Sequence, residues 1–416
     1  MLLPALWRSP FRPFFLLGAL YGPILLLSWI AVYTGQAPPL LPAGNSLPSL
    51  WHQHEIVFGF ATAIIFGFIL TALPSWAGTR ELAGARLALL ALVWLAGRAA
   101  AVLSPALPAP VVALVDLAFL PLFAALVGPG LHGVNRRFQL GLAVITAGFF
   151  LGNLGYYLGV LLDTPRLWWQ GLRLGLYAMI FHCSVTVGVL APIFTENALR
   201  EHGRPATIGH VIPLEWLSAV SIVALALLDV SGAGAPVIGI AAALGCALHS
   251  VRLYRWHSLR ITGTPIVWVL HLGYAWLVLA LLLLALKSFG ADIAAQSWVH
   301  AFTVGGFGLM SLGLMTRVAL RHTGRHMHPA RPMVVGYLCL AAAAAVRTAV
   351  PSNTLRHELL LLSALLWALP YVIYLALYGR MLLLPSLPRE PGQSNGQPVA
   401  GDSASSSAAN GRSTQP

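Results

Sequence analysis

Twelve times along its 416 residues, this chain offers a mostly apolar stretch long enough to cross about 30 Å of hydrocarbon, a distance that takes about 20 helical residues. The stretches run approximately over 13–33, 55–73, 87–104, 110–127, 138–162, 171–194, 212–230, 235–253, 265–286, 297–320, 332–350 and 358–384, with Pro, Gly and charge between them. Backbone in lipid must satisfy its polar groups within its own segment, so windows of this length dictate helices. The expected fold class is all-α, a polytopic membrane bundle of about twelve transmembrane helices. Composition supports this reading, with 58% hydrophobic and 9% charged residues. A single soluble core stops growing near about 250–300 residues, so the bilayer must take the excess. The first window exceeds the roughly 7–15 residues of a signal-peptide core and reads as the first span.

If the windows alternate in direction, six basic residues (Arg98, Arg166, Arg173, Lys287, Arg347 and Arg356) fall on one side. The other eighteen of the 24 Lys and Arg collect on the opposite side. Positive-inside topology then places both termini in the cytoplasm, and a bacterial inner membrane is the expected location. The net charge of +12 is scattered between apolar runs rather than gathered in a stripe, which argues against nucleic acid. Cys183, Cys246 and Cys339 lie in apolar runs without a CxxC motif and read as small core residues. From Pro385 the composition turns to Ser, Gly, Asn, Gln and Pro. The expected organisation is therefore a twelve-helix domain over 1–384 and a disordered cytoplasmic tail over 385–416. No internal repeat is evident.

Ionisable groups inside a membrane are costly and mark candidate sites. The outer end of the second helix reads Trp51-His52-Gln53-His54-Glu55, and that of the tenth reads Trp298-Val299-His300; each is soon followed by Gly-Phe, at Gly59-Phe60 and Gly306-Phe307. Histidines at one depth are candidates for haem or copper ligation, since imidazole suits both metals; the alternative is a polar interface. The glycines admit either a neighbouring backbone or a flat cofactor. In the ninth helix, Trp268, His271 and Tyr274 are spaced by three and are expected to share a face, so His271 is a metal candidate with Tyr274 as its partner, or else a core histidine. The basic segment Arg321-His322-Thr323-Gly324-Arg325-His326-Met327-His328 contains histidine and thioether donors suited to copper. His300 and His322 are separated by roughly 30 Å of helix, so two sites are expected, an outer one on His54 and His300 with His52, and an inner one on His271 and His322. His182 is a further candidate near mid-depth. Arg98 and Asp116 fall in the outer half and are expected to pair, either structurally or as the midplane site of a secondary transporter. Arg98 and Arg347 are candidate partners for haem propionates.

The residues that carry these readings resemble the NnrS family of bacterial membrane proteins. The matching stretches are Phe11-Arg12-Pro13-Phe14-Phe15, Trp51-His52-Gln53-His54-Glu55 with Phe58-Gly59-Phe60, Trp94-Leu95-Ala96-Gly97-Arg98, and Trp268 to Tyr274. They continue through His300 with Met315-Thr316-Arg317 and His322-Thr323-Gly324-Arg325. The resemblance implies a twelve-helix protein holding haem b and copper, associated with denitrification and with protection against nitric oxide. His52, His54, His271, His300 and His322 are the implied metal ligands, with Trp268, Tyr274, Arg98, Arg325 and Arg347 near the cofactors. The chain departs from the family pattern at Val189, where an arginine is usual, and at Tyr156 and Tyr157, where a histidine is expected after Asn153. With no CxxCH motif or soluble redox domain, electrons for any turnover are expected from quinol or a separate redox protein. A haem-binding sensor without turnover is the other alternative.

Overall fold

A computed structural model describes residues 4–35, 48–349 and 356–388. Among these residues, all regular structure is helical, and twelve helices are long and apolar enough to cross a bilayer. They are α1 (Phe11–Thr34), α2 (Ser49–Ala77), α3 (Gly84–Val102), α4 (Ala109–Leu131), α5 (Arg136–Leu161), α6 (Pro165–Glu201), α7 (Ile212–Ser231), α8 (Ala235–Arg255), α9 (Pro265–Ser288), α10 (Ser297–His322), α11 (Arg331–Ala349) and α12 (His357–Leu383). Ten agree with the hydropathy windows to within four residues at each end. The other two are longer than hydropathy suggests. The first turn of α2 is polar, and α6 has 37 residues, which span about 55 Å. Its ends carry Arg166, Gln170 and Arg173 on one side and Glu196, Arg200 and Glu201 on the other, residues that an apolar window rejects although the helix continues through them.

Burial reveals a periodicity that the sequence does not. In α2, α6 and α10, 89%, 78% and 78% of the apolar stretch is buried, against 22–56% in the other nine. These three helices, four apart in chain order, meet one another at the centre, and each packs against its predecessor, α1, α5 or α9. The outer helices expose residues such as Leu114, Leu227 and Leu244, as a lipid-facing surface requires.

Without a hydrophobic drive between helices in lipid, close backbone approach matters, and small residues permit it. The α5–α6 pair is the clearest case. A Cβ added at Gly171 would fall 2.4 Å from the carbonyl oxygen of Gly152, so glycine is obligatory at this crossing.

The first and last helices are joined at one face of the bundle by Arg12, which is 3% exposed. Its guanidinium donates to the carbonyls of Met381 (3.2 Å), Leu382 (2.8 Å) and Leu384 (2.7 Å) and to Ser386 Oγ (2.9 Å). The last turn of α12 leaves carbonyls without helical partners and carries partial negative charge, so a buried cation is well placed there. Ser386 Oγ donates to the His322 carbonyl at 2.8 Å, and Leu387 N donates to that of Thr323 at 3.0 Å. Ser386 and Leu387, placed in the tail by composition, are thus bonded to the turn after α10; residues 389–416 lie outside the described residues.

Candidate functional site

Between α1, α2, α6, α10, α11 and α12, at the end that charge asymmetry assigns to the outer face, lies a cavity of about 380 Å³. This is within the range of sites that take drug-sized ligands, roughly 300–1,000 Å³. Its wall includes His52, His300, Arg173 and Arg347. Apolar residues of the same wall include Phe60, Phe307, Leu176 and Trp367. Two of the sequence candidates, 248 positions apart, are therefore brought to one space by α2 and α10.

Each of the two helices changes winding just after its histidines. Glu55–Phe60 and Ala301–Phe307 are π-helical, a local widening often found at functional sites. The two Gly-Phe pairs end these segments, and Phe60 and Phe307 meet edge to face with centroids 6.0 Å apart. The glycines are already filled by protein: Arg98 Nη1 comes within 2.4 Å of a Cβ built at Gly59, and Gly306 faces the α9 backbone at Gly273. Of the two expectations for these glycines, close approach by protein neighbours is the one observed.

His300 is oriented for a ligand. Its Nδ1 lies 2.8 Å from the Gln296 carbonyl one turn back; Nδ1–H donates to that oxygen, which leaves the Nε2 lone pair available. The His52 ring stacks on Trp29 at 4.4 Å and 24°. Its Nδ1 is buried with no hydrogen-bond partner among the described residues, a state that costs about 1–3 kcal/mol unless something compensates.

His54 points away from this cavity and into a separate polar cluster. Its Nδ1 lies 2.9 Å from Glu55 Oε1, and its Nε2 lies 2.9 Å from Asn153 Oδ1 and 3.4 Å from Asp116 Oδ2. Arg98 donates to Glu55 Oε2 at 2.8 Å and pairs with Asp116 through its other terminal nitrogen. Tyr21 donates to Glu55, and Asn153 Nδ2 donates to Asp116 Oδ2 at 2.9 Å. Tyr156 and Tyr157 close over the His54 ring at 4.2 and 5.3 Å. Trp94 Nε1 donates to the Gly59 carbonyl at 3.1 Å, supplying a partner within the π segment. The Trp94 to Arg98 stretch of α3 thus clasps the widened turn of α2.

The expected Arg98–Asp116 pair is present, with Glu55 as a further partner that the sequence reading did not assign. Both ring nitrogens of His54 are engaged within the protein. Arg98 is absent from the cavity wall, where the second arginine beside Arg347 is Arg173. Asp116 and Arg98 are each 5% exposed and form a buried ion pair, with Arg98 Nε left without a hydrogen-bond partner among the described residues.

Toward the other end, the expected inner histidines keep different company. His271 is held by two hydroxyls, Thr195 Oγ1 at 2.9 Å from Nε2 and Ser258 Oγ at 2.8 Å from Nδ1. The His322 ring packs on Phe11 at 5.5 Å. Tyr274 donates to His249 Nδ1 at 2.6 Å and accepts from Arg252 Nη1 at 3.1 Å, whereas Trp268 meets Tyr337 at 6.1 Å. A spacing of three advances about 300° around a helix, so Trp268 and Tyr274 end about 120° apart; the expectation of one shared face fails for that reason. Arg325 donates to the Thr323 carbonyl at 3.2 Å and serves the turn after α10. Val189 is 40% exposed on the outside of α6, while Arg252 from α8 comes against Gly188. His182 and Cys183 line a small cavity of about 20 Å³ between α2, α6 and α10. Among the described residues, no three of His, Cys, Asp and Glu gather as a metal site would need.

A family model described as NnrS protein matches residues 5–386. No curated protein matches the chain.

Proposed function

Because the chain belongs to the NnrS family, we propose that it is a haem-binding membrane protein of the nitric oxide response, which binds or detoxifies nitric oxide or limits iron-nitrosyl damage. One observation carries the reading: His52 and His300 line the same cavity, together with two arginines and an apolar floor. The residues suit a porphyrin. His300 has its Nδ1 fixed and its Nε2 free, His52 keeps an unpartnered buried nitrogen, and the aromatic wall suits a flat ring. When bound there, a haem would supply an iron that exchanges electrons and can take a diatomic ligand. The protein's part is to hold the imidazoles by Gln296 and Trp29 and to exclude water with Phe60, Phe307 and Trp367. Electrons are proposed to come from quinol or a separate redox protein.

Copper, the other implied cofactor, finds no comparable arrangement at His271 and His322. A metal at His271 would have to displace Thr195 or Ser258. A transporter site at Arg98 and Asp116 is disfavoured because both groups are already committed to buried ion pairs within the cluster.

The test is the absorption spectrum of the detergent-purified protein, oxidised and dithionite-reduced. A Soret band is expected in wild type, with loss or a changed spin state in His300→Ala and His52→Ala. Wild type that stays colourless after expression with ample haem would refute the reading. Anaerobic consumption of nitric oxide under reducing conditions separates turnover from sensing, since a sensor binds without consuming.

A further inference from the structure

Arg173 is held more completely than its partial exposure would require. It lies in α6 one turn after Trp169, and its guanidinium carbon sits 4.9 Å from the ring centroid of Trp169 and 4.9 Å from that of Trp298 in the first turn of α10. Nη1 donates to Asp229 Oδ2 of α7 at 3.2 Å. Tyr177, one turn further along α6, donates to the same oxygen at 2.9 Å and stacks on Trp298 at 6.0 Å and 27°. Two indole faces and one carboxylate therefore fix both the position and the plane of this cation. A guanidinium has five N–H donors and no acceptor, and a single bond to Asp229 leaves donors over.

Arg173 and Trp169 belong to the wall of the cavity that His52 and His300 share. Arg347 supplies a second arginine to that wall, and Phe60, Phe307 and Trp367 give it apolar aromatic surface. A ligand that fits such a lining combines a flat apolar body with carboxylates. We propose that Arg173 is the specificity-determining cation of this cavity and receives a carboxylate edge of the ligand as a charge-assisted fork. Resting on the haem reading, this assigns a propionate to Arg173. Arg98, committed to Glu55 and Asp116, has no part in it.

The experiment compares haem b with its dimethyl ester, in which both propionates are masked, on detergent-purified full-length apoprotein. The readout is the rate at which each porphyrin transfers to excess apomyoglobin, followed in the Soret region. Arg173→Gln, which removes the charge and keeps a donor for Asp229, is expected to lose haem at least about tenfold faster than wild type, a change of about 1.4 kcal/mol. The ester is expected to leave the variant and wild type at nearly the same rate. If Arg173→Gln does not fold, Arg173→Lys, which keeps the charge and loses the fork, is expected to show the same contrast at smaller size. Acceleration by the same factor for both porphyrins, or for neither, overturns the proposal while leaving the haem reading intact. Wild type that takes up neither porphyrin overturns both.

Discussion

Replacing Arg98 with methionine tests whether the cluster between α2, α3, α4 and α5 is a buried set of charges that compensate one another. The guanidinium is bonded to Glu55 at 2.8 Å and to Asp116, with each partner 5% exposed or less. Removing the cation leaves two buried carboxylates that share only His54, Asn153 and Tyr21. Breaking a buried pair in this way costs about 3–5 kcal/mol. Unfolding entropy near about 2.1 cal/mol/K per residue gives roughly 0.8 kcal/mol/K for a chain of this size, so the melting temperature is expected to fall by about 5 °C. The assay is thermal unfolding of the detergent-solubilised protein, followed by the loss of monodisperse material. The triple variant Arg98→Met, Glu55→Gln, Asp116→Asn removes every formal charge of the three and is expected to recover most of the loss, since neutral replacement of a buried ion cluster is often tolerated. It should also retain the Soret band of wild type. A fall of less than about 1 °C in the single variant, or a triple variant no more stable than the single one, would refute the reasoning.

Two further outcomes follow from the packing. Gly171→Leu places carbon where the Gly152 carbonyl already lies, 2.4 Å from the new Cβ; little folded protein is expected to accumulate, read as the monomer peak in size-exclusion chromatography, whereas Gly141→Leu, with open space around it, should accumulate normally. Arg12→Gln removes most of the donors that cap α12 and is expected to speed amide hydrogen exchange over residues 380–388 at least tenfold without changing it in α6, an outcome measurable by mass spectrometry of peptides.

Much of this architecture is legible in the sequence because hydrocarbon thickness imposes a length on every span. Hence ten helices fall where apolar windows lie, and α2 and α6 are misjudged only where polar residues extend a helix beyond its apolar part. The meeting of His52 and His300 was legible for a similar reason, since both open helices that enter from the same side. Which face each histidine takes is set by partners that no local pattern reveals. His54 was expected beside His300, but Asn153, 99 residues later, and the adjacent Glu55 turn it into a different cluster. Arg173 was read only as one of the few basic residues on its side. The available signal was Trp169 four residues earlier, an interval that sets an arginine over an aromatic ring on one helix face. His271 could not be told from a ligand, because its hydroxyl partners Thr195 and Ser258 lie 76 and 13 positions away, outside the spacing of a helix face.

The bond from Arg12 to Leu382 joins residues 370 positions apart, and this has a consequence for biogenesis. Helices enter the bilayer in order of synthesis, so α1 is inserted long before its acceptors on α12 exist. Until then the guanidinium must remain at the aqueous boundary or borrow partners from lipid headgroups. Its burial against α12 is therefore a late event of assembly. A ribosome that stops before α12 releases a bundle whose first helix still carries an uncapped cation, a defect that membrane quality control can recognise without inspecting the cavity between His52 and His300.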